Sequence, residues 1–494
     1  MKSINNYTDK LSNISGNNLR KVFLLVGILN VCSLILAGSE QLYVLIPILG
    51  IADTAVFFWS ELYKYEHTFP LLDIGSIYMA AFLVYTLLPF VGFLLSGMTY
   101  TPLSAIQLFV LAPTPEQFGI FALRYFVFIF CFAFFYLKVR RAPQNKVESF
   151  IRPDRSVILG FIVLFTLLSA FYLVLKLFFN IDFNTAYDEN MYTSYEAYKS
   201  LPLFAGQVVT HLNFIFFTVK IGLMVILLTH WEKKSGRLIV VAWLGFIVIG
   251  YFFKMGARTE IVLLLMAFVL LYDRFVKPIK RAYLFPAGGA LLVTFILIGY
   301  MRGGGKDLKS NLDNLERVTS SDYSLFSSAD EFQAIFAGAY DLHNMKENGL
   351  IKDVPWQLHI NELLLVLPRQ FLPFEKIDPQ AWYLDSTEFP QGYFMYGPIS
   401  QAELGLGWIE LALRGGLLGF IYAKLHRYYV GNKNSFWVTL FYLFLTIMSY
   451  YSIRSSTFYL IVPAIYHFIP TYLIITCISY LHGFKYIPKQ MVFK

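Results

Sequence analysis

Long, closely spaced apolar runs dominate this chain and leave few folds open to it. Runs of about 18–25 residues with scarcely a charge have the length a helix needs to cross a hydrocarbon core. Hydropathy places them near 22–38, 41–59, 72–96, 118–138, 156–180, 206–229, 238–253, 259–275, 283–300, 398–423, 435–452 and 457–482. The expected fold is an all-α polytopic membrane protein of about twelve spans. It is expected to be one integral domain over 1–494, with a single long loop, 301–397, between spans nine and ten. Composition agrees, with 57% hydrophobic and only 15% charged residues. The polar first 20 residues carry no signal-peptide pattern. Cys32, Cys131 and Cys477 all fall in apolar runs and have no metal-ligand spacing.

Cations in short loops orient a membrane protein, because Lys and Arg are retained on the cytoplasmic side. The loop after the fourth span carries Lys138, Arg140, Arg141, Lys146, Arg152 and Arg155. The next loops on that side carry Lys233, Lys234 and Arg237, then Arg274, Lys277, Lys280 and Arg281, then Lys424 and Arg427. Residues 97–117 hold neither Lys nor Arg. This alternation predicts that both termini are cytoplasmic and that 301–397 lies outside. It also explains the net charge of +8 without any nucleic-acid partner. Within 301–397, residues 328–347 have helical spacing, and 355–367 are apolar enough to lie against a membrane.

Against that rule, some cations stay on the predicted outer side. Arg258 sits in the turn Lys254-Met-Gly-Ala-Arg258-Thr, and Arg454 in Ser452-Ile-Arg454-Ser-Ser. Arg302 opens the long loop ahead of Gly303-Gly304-Gly305, and Arg369 and Lys376 follow within it. That loop holds eight basic and fourteen acidic residues, so it is not a general basic patch. Guanidinium groups bind phosphate oxygens bidentately and keep their charge at any physiological pH. A lipid diphosphate fits such a set, and snorkelling to lipid headgroups is the plain alternative.

General-base candidates are Glu403, Glu331, His343, Asp385 and Glu388. Glu403 falls in the first turns of the tenth span, where an unpaired carboxylate is costly. His343 and His359 read as solvated loop histidines. Arg124, Lys176, Lys220, Arg414, Asp53 and Glu260 fall inside spans, where they form a diphosphate site or a proton or ion path, or else pair with one another across helices. Gly415 and Gly419 have the spacing of a close helix contact.

Several of these stretches resemble the Wzy-type oligosaccharide repeat-unit polymerases. They are Lys254-Met-Gly-Ala-Arg258-Thr-Glu-Ile, Gly299-Tyr-Met-Arg302, Leu367-Pro368-Arg369-Gln-Phe-Leu-Pro373-Phe-Glu-Lys376, Pro398-Ile-Ser-Gln-Ala-Glu403, Gly415-Gly416 and Arg454-Ser-Ser. Together they span roughly residues 240–460, and the first half matches only in hydropathy. The resemblance implies a GT-C-like membrane glycosyltransferase of the bacterial inner membrane. It implies transfer of a glycan between undecaprenyl-diphosphate-linked oligosaccharides on the periplasmic face, inverting and metal-independent, with no cofactor. A chain-length regulator protein is a possible partner. In such a reaction Arg258, Arg302, Arg369, Lys376 and Arg454 would grip the donor diphosphate. Glu403, or else Glu331, would take the acceptor proton. An O-antigen ligase and a lipid-linked oligosaccharide flippase are the alternatives. Ligases often carry a histidine in the long loop, and His343 is its nearest counterpart.

Overall fold

A computed structural model describes residues 27–28, 40–66, 71–95, 114–140, 153–179, 203–231, 234–252, 258–277, 279, 283, 288–289, 330–349, 351, 354–364, 367, 372–377, 382 and 397–484. Among these the protein is all-helical, with no strand. Seven helices come first: α1 Glu40–Glu66, α2 Ile74–Leu95, α3 Pro115–Arg140, α4 Arg155–Phe179, α5 Leu203–Leu228, α6 Lys234–Phe252 and α7 Arg258–Leu271. A π-helical turn, Tyr272–Val276, extends α7. The long loop contributes α8 Asp330–Glu347 and α9 Trp356–Leu364. Then come α10 Pro398–Leu404, α11 Trp408–Gly431, α12 Phe436–Met448, α13 Tyr451–Arg454, α14 Ile461–Pro463 and α15 Ile469–Phe484.

Six described stretches are long and apolar enough to cross a membrane: Val44–Lys64, Pro115–Arg140, Arg155–Val174, His211–Leu228, Phe436–Arg454 and Ile461–Leu481. They coincide with six of the expected spans. Most of the expected spans at 22–38 and 283–300 lies outside the described residues.

The expected span at 398–423 is not one helix. It is a short buried helix, α10, then a break, then α11, which runs on to Gly431. The break is written in glycine. Gly407 has φ +61°, which favours a residue without Cβ. Its N–H donates to Ala402 O at 2.8 Å, closing the end of α10. The carboxylate of Glu410 folds back over the break and accepts from Leu406 N at 2.9 Å. That caps the start of α11 and places negative charge where a helix N-terminus favours it.

Helices α3 and α11 form the central pair, with α1 packed on the other side of α3. Gly415 and Gly419 let the backbones approach. A Cβ on either would run into the carbonyl oxygen of Phe128 or Phe132. Contacts of this kind, and not hydrophobic exclusion of water, hold helices together in lipid. Around the pair, Tyr78 meets Phe132 at 4.7 Å between centroids, and meets Tyr422 edge-on at 5.5 Å.

One end of this pair carries the helices of the long loop, and the other is pinned by a buried carboxylate. At that far end Asp73 caps α2, accepting from Ser76 N at 2.9 Å and from Tyr136 Oη at 2.7 Å. Arg140 Nε donates to its second oxygen at 2.8 Å. Tyr442 Oη accepts from Ile74 N at 2.9 Å and lies 2.7 Å from His426 Nδ1.

Candidate functional site

At the loop end the fold brings α8, α9 and α10 onto the first turns of α3 and α11. Helix α8 has one apolar face, with Ile335, Phe336, Ala339, Tyr340, Leu342 and Met345 all buried. The spacing is that of an amphipathic helix seated on a core. Phe336 packs edge-on against Phe90 and Phe121, with centroids 5.2 and 5.0 Å away. Tyr340 Oη donates to Gln117 Oε1 at 2.8 Å, fixing α8 to the start of α3. A smaller cluster of Leu342, Met345, Ile351, Leu358 and Leu404 ties α8, α9 and α10 together.

Glu403 sits in this junction, buried, in the last turn of α10. One carboxylate oxygen pairs with Arg124 of α3. The other lies 3.0 Å from His343 Nδ1 of α8. Lys346 Nζ, one turn further along α8, donates to the Glu403 carbonyl at 2.6 Å. The guanidinium of Arg124 lies over the Trp408 ring, 4.9 Å from its centroid. The His343 ring stacks on Phe121 at 6.4 Å. Burial, then the Arg124 cation, pull the imidazole down to about 4, with Glu347 acting the other way. The ring is therefore neutral near pH 7. With Nδ1 donating to the Glu403 carboxylate, Nε2 is left as an acceptor.

This overturns the expectation that His343 is a solvated loop histidine. The reason is the apolar face of α8, which folds the loop back onto the spans. It also recasts Glu403. The carboxylate spends one oxygen on Arg124 and one on His343, an arrangement that orients an imidazole.

A second buried ion cluster lies beside the first. Arg414 Nη1 reaches Glu362 Oε2 of α9 at 2.5 Å, and Arg414 Nε reaches Glu410 Oε1 at 2.7 Å. Nη1 also contacts Gln401 Oε1 and Thr457 Oγ1, both at 3.1 Å. The remaining oxygen of Glu362 accepts from Phe458 N at 3.0 Å. Four pieces of chain thus meet at one guanidinium: α9, α10, α11 itself and Thr457.

The expected cation set is only partly in view. Arg302 and Arg369 lie outside the described residues, as do the triglycine 303–305, Asp385 and Glu388. Arg258 is the first residue of α7 and Glu331 the second of α8, but their side chains lie outside the description. Lys376 is half-buried and donates to the Leu367 carbonyl. Arg454 ends α13, which packs on α10, the helix that carries Glu403.

In the sequence Arg124 and Arg414 stand out as charges inside spans, and nothing singles out Glu362 or Gln401. The i,i+4 spacing of Glu410 and Arg414 was a legible signal for half of the second cluster. Nothing local links residues 124, 343 and 403. Among the described residues, no three His, Cys, Asp or Glu side chains gather where they could hold a metal ion. Compared with protein-family models, curated proteins and solved structures, the chain matches none.

Proposed function

We propose that this protein is a membrane glycosyltransferase that polymerises lipid-diphosphate-linked oligosaccharide repeat units. The observation that carries the reading is the pair of buried Glu403 and half-buried His343 beside Arg124, at the junction of the long loop with the spans. Glycosyl transfer to a hydroxyl needs a base within hydrogen-bond reach of the acceptor proton. His343 Nε2 supplies it, and Glu403 holds the ring in the required tautomer. The acceptor oxygen forms a bond to the anomeric carbon as its proton passes to Nε2. On the opposite face the bond from that carbon to the diphosphate oxygen breaks, and the electron pair leaves with the diphosphate. Cations near the leaving group stabilise its charge as it develops. The sequence assigns this role to Arg258, Arg302, Arg369, Lys376 and Arg454. Glu331 keeps its place as the alternative base. By the loop-charge rule the reaction faces the periplasm in a bacterial inner membrane, with both termini cytoplasmic.

A ligase is the second reading, favoured by the position of His343 in the long loop. One experiment separates the two. The gene is deleted in its host, and the surface glycan is run on a gel beside extracted lipid-linked intermediates. Single repeat units on the surface support the polymerase, and polymer stranded on the lipid carrier supports the ligase. Unchanged surface glycan rejects both. Complementation with His343→Gln is expected to fail, although the protein still reaches the membrane.

A further inference from the structure

We infer that Arg124 is a phosphate-binding residue which Glu403 occupies only until an anionic ligand arrives, so that the ligand releases Glu403 to act on His343. The identity of that ligand as a diphosphate rests on the function proposed above. Arg124 is the tenth residue of its apolar helix, where an arginine is costly without a partner. Among the described residues it has one carboxylate within ion-pair distance, through Nη1. Its Nε is buried and makes no hydrogen bond. A guanidinium has five donors in a rigid fork that matches the oxygens of phosphate. Here that fork is only partly used. Trp408 covers one face of it and fixes its plane.

A second observation points the same way. On the neighbouring faces of the same two helices, Tyr125 Oη and Ser400 Oγ are buried and make no hydrogen bond. Tyr125 is 2% exposed and Ser400 0%. Both line one narrow crevice, bounded by Phe82, Ile335, Gly397 and Ile453. Buried hydroxyls without partners carry a desolvation cost of about 1–3 kcal/mol each. Tyr125 follows Arg124 in α3 and Ser400 lies three residues before Glu403 in α10, so unused donors flank the pair in sequence, although Arg124 does not itself line the crevice. The other charged groups at hand are Lys346, which donates to the Glu403 carbonyl, and Glu347, which acts on both Arg124 and His343.

The exchange has a chemical consequence. With Arg124 turned to phosphate, the cation next to His343 is neutralised and Glu403 is left to the imidazole alone. Both changes strengthen Nε2 as a base. The donor diphosphate would thus arm the base that activates the acceptor, and the order of binding would be donor first.

The test is direct binding by the purified full-length protein in lipid nanodiscs, with farnesyl diphosphate and inorganic pyrophosphate as probes. Arg124→Gln is expected to weaken farnesyl diphosphate by about tenfold or more. Glu403→Gln is expected to tighten it several-fold, because the competing carboxylate is gone. Parallel behaviour of pyrophosphate assigns the site to the anion itself, and binding of the prenylated probe alone assigns it to a lipid diphosphate. Weaker or unchanged binding in Glu403→Gln overturns the exchange, even if Arg124→Gln proves too unstable to purify. The readouts separate the two proposals. Normal surface glycan in the deletion strain removes the polymerase reading and leaves the exchange standing. Contrary binding results remove the exchange and leave that reading.

Discussion

Replacing Arg414 with methionine should destabilise this protein more than any single change to its carboxylate partners. The guanidinium is held by Glu362 at 2.5 Å and Glu410 at 2.6 Å, and both pairs are largely shielded from solvent. Methionine keeps most of the volume and removes the charge. Two carboxylates are then left facing each other, and Gln401 and Thr457 each lose a donor. Breaking a buried pair from one side costs about 3–5 kcal/mol, most of it the penalty of stranding a buried charge. Glu362→Gln is milder. The single amide oxygen can keep the bond from Phe458 N while the amide NH2 loses the bond from Arg414, so the loss is close to that of one charged hydrogen bond, about 1.5–3 kcal/mol. The double variant removes both charges at this contact and should cost at least ~1 kcal/mol less than the sum of the single changes. The assay is reversible unfolding in mixed detergent micelles, followed by tryptophan fluorescence. Additive losses across the cycle would show that Arg414 and Glu362 do not act on each other, and would refute the reasoning.

Two further outcomes are expected from the same unfolding assay. Gly419→Leu should cost about 1–3 kcal/mol or more, because its side chain meets the backbone carbonyl of Phe132, which cannot step aside. Gly416→Leu faces the Phe135 ring instead, which can swing away, so it should cost less; the reverse order would count against the packing described. For His343 the folded value, about 4, lies below the ordinary 6.5. As pH falls the unfolded chain takes the proton first, so stability present above 6.5 is lost progressively down to about 4. His343→Gln should flatten the stability–pH curve over that window, and an unchanged slope would mean that the ring is not buried neutral.

The six spans that the structure shows are legible because each is a local signal. A run such as 118–138 is apolar along its whole length, and the helix Pro115–Arg140 follows from it. The division of the tenth span was also written locally, in Gly405-Leu406-Gly407, yet hydropathy cannot see it. A sliding average passes over one residue with positive φ. The site was less legible, because its chemistry lies in pairings across large sequence separations. Arg124, His343 and Glu403 come from three separate helices. Asp73 and Arg140 show the same limit at the far end. Arg140 reads as one more orienting cation in a basic loop, but in the fold it is a buried partner of a buried carboxylate.

The two buried arginines at the loop end find carboxylate partners on other pieces of chain. The spans contribute Arg124 and Arg414, the loop helices contribute His343 and Glu362, and α10 contributes Glu403 and Gln401. Glu410 is the exception, four residues from Arg414 on one helix, and its second role is to hold the break before α11. A loop merely tethered to a membrane domain would satisfy its own polar groups with water. Here α8 and α9 cannot lift away without exposing apolar surface and stranding a carboxylate or an arginine in a dry junction, at several kcal/mol for each stranded ion. The loop helices are therefore structural members of the membrane domain. What can exchange at this junction is a partner of matching charge, and Arg124, with its own buried Nε still unused, is where an incoming anion would do so at least cost.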